Sequence, residues 1–412
     1  MRGEESVRGQ KPVRGEIRAA TLVLLTLSGL GGCGKAPDPP AAGAFLERHW
    51  ARPLASQGEA PASARAHQIS LSPQSCASCH AAQFEDWSRS LHSRAMGPGI
   101  MGQLVAMPAG ARDEHQDCIR CHAPLKEQAD SLSAAIAGNR AVPSLHEQGV
   151  VCAACHVRGY EWYGPPRRDG SSPSGDLTAL PHNGWKASAA FGDSRFCAAC
   201  HQFTKDEYAL NGKLLENTYE EWKTSRFARE GKSCQSCHMP GRRHLWRGIH
   251  DPEMVRGGVE IDATLPEVSG RGVAAALTIR NTGVGHYFPT YVTPRVVAEG
   301  YQEDAGGAMI ADTLIEQVIA RQVPLDLSRE IADTRIPPDG EARLDYRAQL
   351  SRRAAALVFR VRVEPDAFYT AFYQSVLRDS SAGPGEAQIR VALEQSRKSG
   401  YTFYVKRQSL NR

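Results

Sequence analysis

One short motif, repeated five times, constrains this chain more than anything else in it. Cys76-Ala-Ser-Cys79-His80, Cys118-Ile-Arg-Cys121-His122, Cys152-Ala-Ala-Cys155-His156, Cys197-Ala-Ala-Cys200-His201 and Cys234-Gln-Ser-Cys237-His238 use ten of the eleven cysteines in 412 residues. Two cysteines separated by two residues can form thioethers to both vinyl groups of one haem. The adjacent histidine then lies under the iron as the proximal axial ligand. Zinc sites and thioredoxin-like redox pairs also use Cys-x-x-Cys, but neither needs a histidine directly after every copy. The motifs therefore predict five covalently bound haem c groups. They leave no cysteine but Cys33 for a disulfide or a reactive thiol, and no catalytic residue is assigned.

All five motifs lie between Cys76 and His238, so each has only a few tens of residues to itself. Porphyrins must then supply much of the buried apolar surface. Short helices and loops around stacked haems are expected over residues 73–258. The pattern changes after 258. Val273, Ala275, Leu277 and Ile279 share one face, as do Leu357, Phe359, Val361 and Val363, with Arg360 and Arg362 opposite. Ala342, Leu344 and Tyr346 alternate with Arg343 and Asp345. Period-two alternation between turn residues predicts antiparallel strands. The fold class expected is a mainly α and irregular multihaem domain, then a C-terminal β-sandwich of immunoglobulin-like type over 259–412. Helices are expected at 365–379 and 386–397, with a last strand from 401 to 406.

The start of the chain carries Arg2, Arg8, Lys11, Arg14 and Arg18 ahead of an apolar run over 19–30. That run is shorter than the ~20 residues a membrane span needs and reads as a secretion signal over 1–32. It ends Leu30-Gly31-Gly32-Cys33, which resembles a bacterial lipobox. The resemblance implies a lipid on Cys33, and Gly34 after it implies sorting to the outer membrane. Residues 33–72 are rich in Ala, Pro and Ser and read as a flexible tether. His49 and His67 are expected to be solvated there. A net charge of +4 with 23% charged residues does not suggest a nucleic-acid partner.

A low-spin electron carrier needs a sixth ligand on each iron; a catalyst keeps that position open. Fourteen histidines less the five proximal ones leave nine. His92, His146, His244 and His250 rank first as distal ligands because they flank the motifs, with His182 and His286 next. If His286 binds iron, it ties the β region to the haem region. His115 stands too close to Cys118 to reach that haem's opposite face, though it could reach another haem. Met96, Met101, Met107 and Met239 are read as packing residues. A weak internal repeat is also present: Phe84-Glu-Asp-Trp87-Ser-Arg-Ser90 is echoed by Tyr219-Glu-Glu-Trp222-Lys-Thr-Ser225. Only the first copy continues to a histidine, His92; the second has Phe227 there.

Trp-x-x-Ser-x-His near the first motif, Gly-Val-Val-Cys-Ala-Ala-Cys-His at the third and Cys-Gln-Ser-Cys-His-Met-Pro at the fifth resemble multihaem cytochromes c. The group most resembled is the relatives of the tetrahaem electron acceptor of hydroxylamine oxidoreductase, in a superfamily with the pentahaem nitrite reductases. The resemblance covers roughly residues 73–258. It implies closely packed, mostly bis-histidine haems that pass electrons along a chain, with other redox proteins as donor and acceptor. It does not carry an activity over, since nitrite reductases have a Cys-x-x-Cys-Lys site and all five motifs here end in His. The competing expectation is a reductase of a small nitrogen or sulfur compound at one open iron, with Arg94, Arg226 and Arg242 around it.

Overall fold

The computed structural model describes residues 39–108, 110–138 and 144–410. The expected signal peptide and Cys33 lie outside the described residues. The motif-bearing region is built from short helices: α1 Pro39–His49, α2 Ala81–Arg89, α3 Pro98–Ala106, α4 Arg112–His122, α5 Lys126–Ile136, α6 Cys152–His156, α7 Arg195–His201, α8 Thr218–Lys223 and α9 Cys234–His238. Its apolar side chains gather in small separate clusters. One holds Met96, Leu104, Ile119 and Leu132; another holds Leu54, Leu125, Val151 and Val157. Clusters this small do not make a core for a region of this length, which is the packing expected where cofactors separate the elements.

The described part of the expected tether is not loose. Phe45, Leu46 and His49 fall on one side of α1 at helical spacing. Leu46 and His49 are buried, at 8% and 3% exposure. Phe45 stacks on His49 at 4.8 Å, and Trp50 meets Phe196 edge-on at 5.2 Å. The expectation of a solvated His49 is therefore corrected; His67 is exposed. Four good partners near the end of an Ala- and Pro-rich stretch are enough to dock it.

Asp251 caps α10, Pro252–Gly258, by accepting from the backbone of Glu253 and Met254 at 2.9 Å each. Strands follow at once: β1 Val259–Ala263, β2 Glu267–Ser269, β3 Gly272–Asn281, β4 Arg295–Asp304, β5 Met309–Ile319, β6 Glu341–Gln349, β7 Ala354–Glu364 and β8 Tyr401–Ser409. One antiparallel sheet runs β6–β3–β1 with β2 also on β3; the other runs β5–β4–β7–β8. Leu277, Ile279 and Tyr346 of the first share one core cluster with Val296, Phe359 and Val361 of the second. β4 escapes the periodicity test because residues 296–302 are buried on both faces. Gly300 sits at the tightest point: a Cβ there would lie 2.7 Å from Tyr346 and 3.0 Å from Phe359. Helices α11 Ala367–Arg378 and α12 Glu386–Lys398 turn back onto α3, where Gly99 faces Tyr373 and Gly102 faces Ile389.

Candidate haem centres

Each motif lies on, or at the end of, a short helical segment, and four of these helices close on the motif histidine itself. One helical turn sets Cys i and Cys i+3 side by side with His i+4 next to them. The ten described cysteines are all free thiols; in the loaded protein their sulfurs would be thioethers. Thiols of different motifs lie close enough to shift one another's ionisation: Cys76 with Cys152, Cys121 with Cys200, and Cys197 with Cys234. The motifs of neighbouring sites are therefore near one another.

The proximal rings are oriented from behind. Nδ1 of His122, His156 and His238 donates to the carbonyls of Ala95, Tyr163 and Arg247 at 2.6, 2.8 and 2.7 Å. Nδ1 of His201 meets the Tyr291 hydroxyl at 2.6 Å. Holding Nδ1 this way fixes the tautomer and leaves Nε2 for a metal. Burial, above all, pushes His92 down to about 3 and His156, His201 and His286 down to about 4. These rings are neutral at physiological pH, the state a metal ligand needs.

Three distal candidates stand opposite a proximal ring. The ring centres are 6.3 Å apart for His92 and His201, 6.2 Å for His156 and His244, and 6.4 Å for His238 and His286. Two imidazoles on opposite faces of one metal have a fixed separation. It is twice the sum of about 1.2 Å, ring centre to nitrogen, and about 2.0 Å, nitrogen to metal, or roughly 6.4 Å. The donor set and its spacing thus fit a haem iron between the rings. Nδ1 of His244 and of His286 is likewise tied to a carbonyl, of Arg242 at 3.1 Å and Tyr287 at 2.9 Å.

The other candidates fall differently. His182, at φ +46°, stacks on Trp162 at 4.4 Å and is close enough to His80 for their charges to interact. His146 is buried with Nδ1 on Ser131 at 2.9 Å, and His250 has Nε2 on the Asp366 carboxylate at 3.1 Å. Arg226 is held by Asp339, Glu230 and the Thr282 carbonyl. Two functional neighbours were not foreseen. Tyr291 backs His201, and His49 holds the Cys155 carbonyl at 2.8 Å. Helical spacing from Phe45 could have exposed His49; Tyr291, on a loop, has no sequence signal.

Five motifs, oriented proximal rings and three opposed histidine pairs define a c-type cytochrome with more than one haem. Comparison with known proteins agrees, and the chain is a multihaem cytochrome c. Residues 75–157 match the family described as Cytochrome c554 and c-prime. Cytochrome c-554 of Nitrosomonas europaea is 27% identical over 135 residues, 31% of this chain and 54% of that protein. The match thus takes in about half the length of that relative. The solved penta-heme cytochrome c552 of Thermochromatium tepidum shares the fold. It aligns with a TM-score of 0.56 at 18% identity, over 84% of this chain and 99% of its own.

Proposed function

We propose that this protein carries electrons through five covalently attached c-type haems, one on each Cys-x-x-Cys-His motif. The carrying observation is the three histidine pairs at 6.2–6.4 Å, the spacing of two axial ligands on one iron. The bound haem supplies a reversible one-electron couple; the chain supplies spacing, axial ligation and local charge. His92, His244 and His286 serve opposite His201, His156 and His238, and His182, close enough to His80 for their charges to interact, is its candidate ligand. The nearness of thiols of different motifs supports short electron steps from site to site.

In this reading the chain is exported, as covalent haem attachment in bacteria requires, and held by lipid at Cys33, on the outer membrane. No described helix is long and apolar enough to cross a membrane. Redox proteins are the partners, met at small transient interfaces. The β region, taken as an immunoglobulin-like sandwich, brings His286 to the haem array and caps one side of it.

The three histidine pairs account for three of the five motif histidines. An open iron at one of the other two would suit a reductase of a small nitrogen or sulfur compound. Electron paramagnetic resonance of the oxidised, haem-loaded protein separates the two. Low-spin signals alone are expected for the carrier. A high-spin signal that shifts with nitrite or hydroxylamine would move the assignment to the enzyme. His244→Ala and His286→Ala should each convert one haem from low to high spin, and unchanged spectra in both would refute the proposed ligation.

A further inference from the structure

The internal repeat does the same job twice. In each copy the helix carrying it ends in the same turn: Ser90 N donates to the Trp87 carbonyl and Ser225 N to the Trp222 carbonyl, both at 2.9 Å. The leading aromatic ring packs on the tryptophan alike, 5.6 Å and 39° for Phe84 and Trp87, 5.6 Å and 37° for Tyr219 and Trp222. So far this is a shared fold of two short helices, which packing alone explains.

What the two helices hold goes further. Trp87 Nε1 donates to the Val150 carbonyl at 2.7 Å, and Trp222 Nε1 donates to the Lys232 carbonyl at 2.9 Å. Val150 stands two residues before Cys152, and Lys232 two residues before Cys234. Each indole thus grips the approach to one attachment motif. The acid just before each tryptophan is buried, Asp86 at 5% and Glu221 at 8% exposure. Asp86 accepts from the backbone N–H of His244 at 3.0 Å and from Arg243 at 2.7 Å. Glu221 accepts from the backbone N–H of Tyr287, next to His286, at 3.1 Å and from Arg335 at 3.0 Å. His244 is the ring opposite His156, of the motif that Trp87 grips. His286 is the ring opposite His238, of the motif that Trp222 grips.

We propose that the aromatic–acid–acid–Trp–x–x–Ser helix is a haem bracket used twice. Its indole fixes the proximal side of one site and its carboxylate fixes the segment carrying the distal ligand of that same site. Asp86, Trp87, Glu221 and Trp222 are positioning residues; none is a ligand. A charge-assisted hydrogen bond to backbone N–H is strong and directional, so one rigid helix sets the gap between the two rings. The first copy adds a ligand of its own, His92, for the His201 site. The second has Phe227 in that place, buried and packed beside Gly285, where a Cβ would come within 3.5 Å of it and 3.1 Å of Trp222.

This inference rests on the ligand pairs proposed above, and its test separates the two. His244→Ala and His286→Ala, in the haem-loaded protein, first mark which low-spin signal and which reduction potential belong to each site. Asp86→Ala and Trp87→Phe should then perturb the signal marked by His244→Ala. Glu221→Ala and Trp222→Phe should perturb the one marked by His286→Ala. Each should cost about one haem's share of low-spin intensity or shift that haem's potential alone. Asp86→Asn and Glu221→Gln keep the side-chain volume and should give a partial effect on the same haem, which guards against variants that fail to fold. Helix-mates that perturb different haems would overturn the bracket, as would loss of stability with all spectra and potentials intact. Histidine variants without any spectral change would instead overturn the ligand pairs themselves.

Discussion

At the scale of single residues, the centres differ in what stands behind the proximal ring. Three rings lean on carbonyls, which have no charge to lose or gain. His201 leans on the Tyr291 hydroxyl, buried beside Glu216, Thr218 and Glu221. Burial, chiefly, pushes the Tyr291 phenol far up, so it stays neutral. A partner that draws on the Nδ1 proton makes the imidazole a stronger donor to iron and favours the oxidised state. Tyr291→Phe should therefore raise the potential of one haem. A hydrogen bond of about 1 kcal/mol corresponds to at most roughly 40 mV for one electron. Potentiometric titration of the variant checks it, and a fall in potential or equal shifts in all haems would contradict the argument.

At the scale of elements, the two halves of the chain are joined by close approaches that only glycine permits. A Cβ on Gly385 would stand 1.9 Å from the Gly102 carbonyl oxygen of α3, a backbone atom that cannot swing aside. Gly385→Ala should push α12 off α3 and lower stability by ~1–3 kcal/mol, the usual cost of overpacking. Denaturant unfolding compared with the parent protein measures this; a difference under about 0.5 kcal/mol would mean that α12 gives way freely. Charge does similar joining work. Arg321, 2% exposed, bonds the carbonyls of Lys213 and Leu214 and the Glu330 carboxylate. Arg335 bridges Glu221 and Asp333. The β region is thereby locked to the segment that carries the fourth and fifth motifs.

At the scale of the molecule, docking of α1 links stability to pH. His49 is pushed down to about 3 by burial and then by the nearby Arg158 guanidinium. In the unfolded chain it would titrate near 6.5. Between those values the unfolded state binds the extra proton, so stability rises with pH. The contribution is complete above about 6.5 and is lost as pH falls toward 3, at up to about 1.4 kcal/mol for each pH unit. Thermal unfolding followed by the haem absorbance should show a lower midpoint at pH 4.5 than at pH 7. His49→Gln should flatten that difference, and an unchanged difference would assign the acid lability to other groups.

Much of this protein is legible without coordinates because covalent attachment is a local event. Two thiols and a histidine within one helical turn make the five motifs and their expected proximal ligands readable from spacing. Half-buried strands such as β3, β6 and β7 are legible for the same reason, since alternation is a local property. Fully buried β4 is not, because a strand covered on both faces has no period. The proposed distal ligands were open among six histidines because the rings they come near lie far along the chain: His92 lies near His201, and His244 near His156. His146 and His250 had sequence positions as good as those of His92 and His244. Tertiary packing puts His250 Nε2 on the Asp366 carboxylate and His146 Nδ1 on Ser131, contacts that the sequence does not show. The repeat was visible as a sequence pattern, but its meaning was not. Only the fold shows that each copy grips a motif and the segment opposite it, because both contacts cross tens of residues that the pattern does not contain.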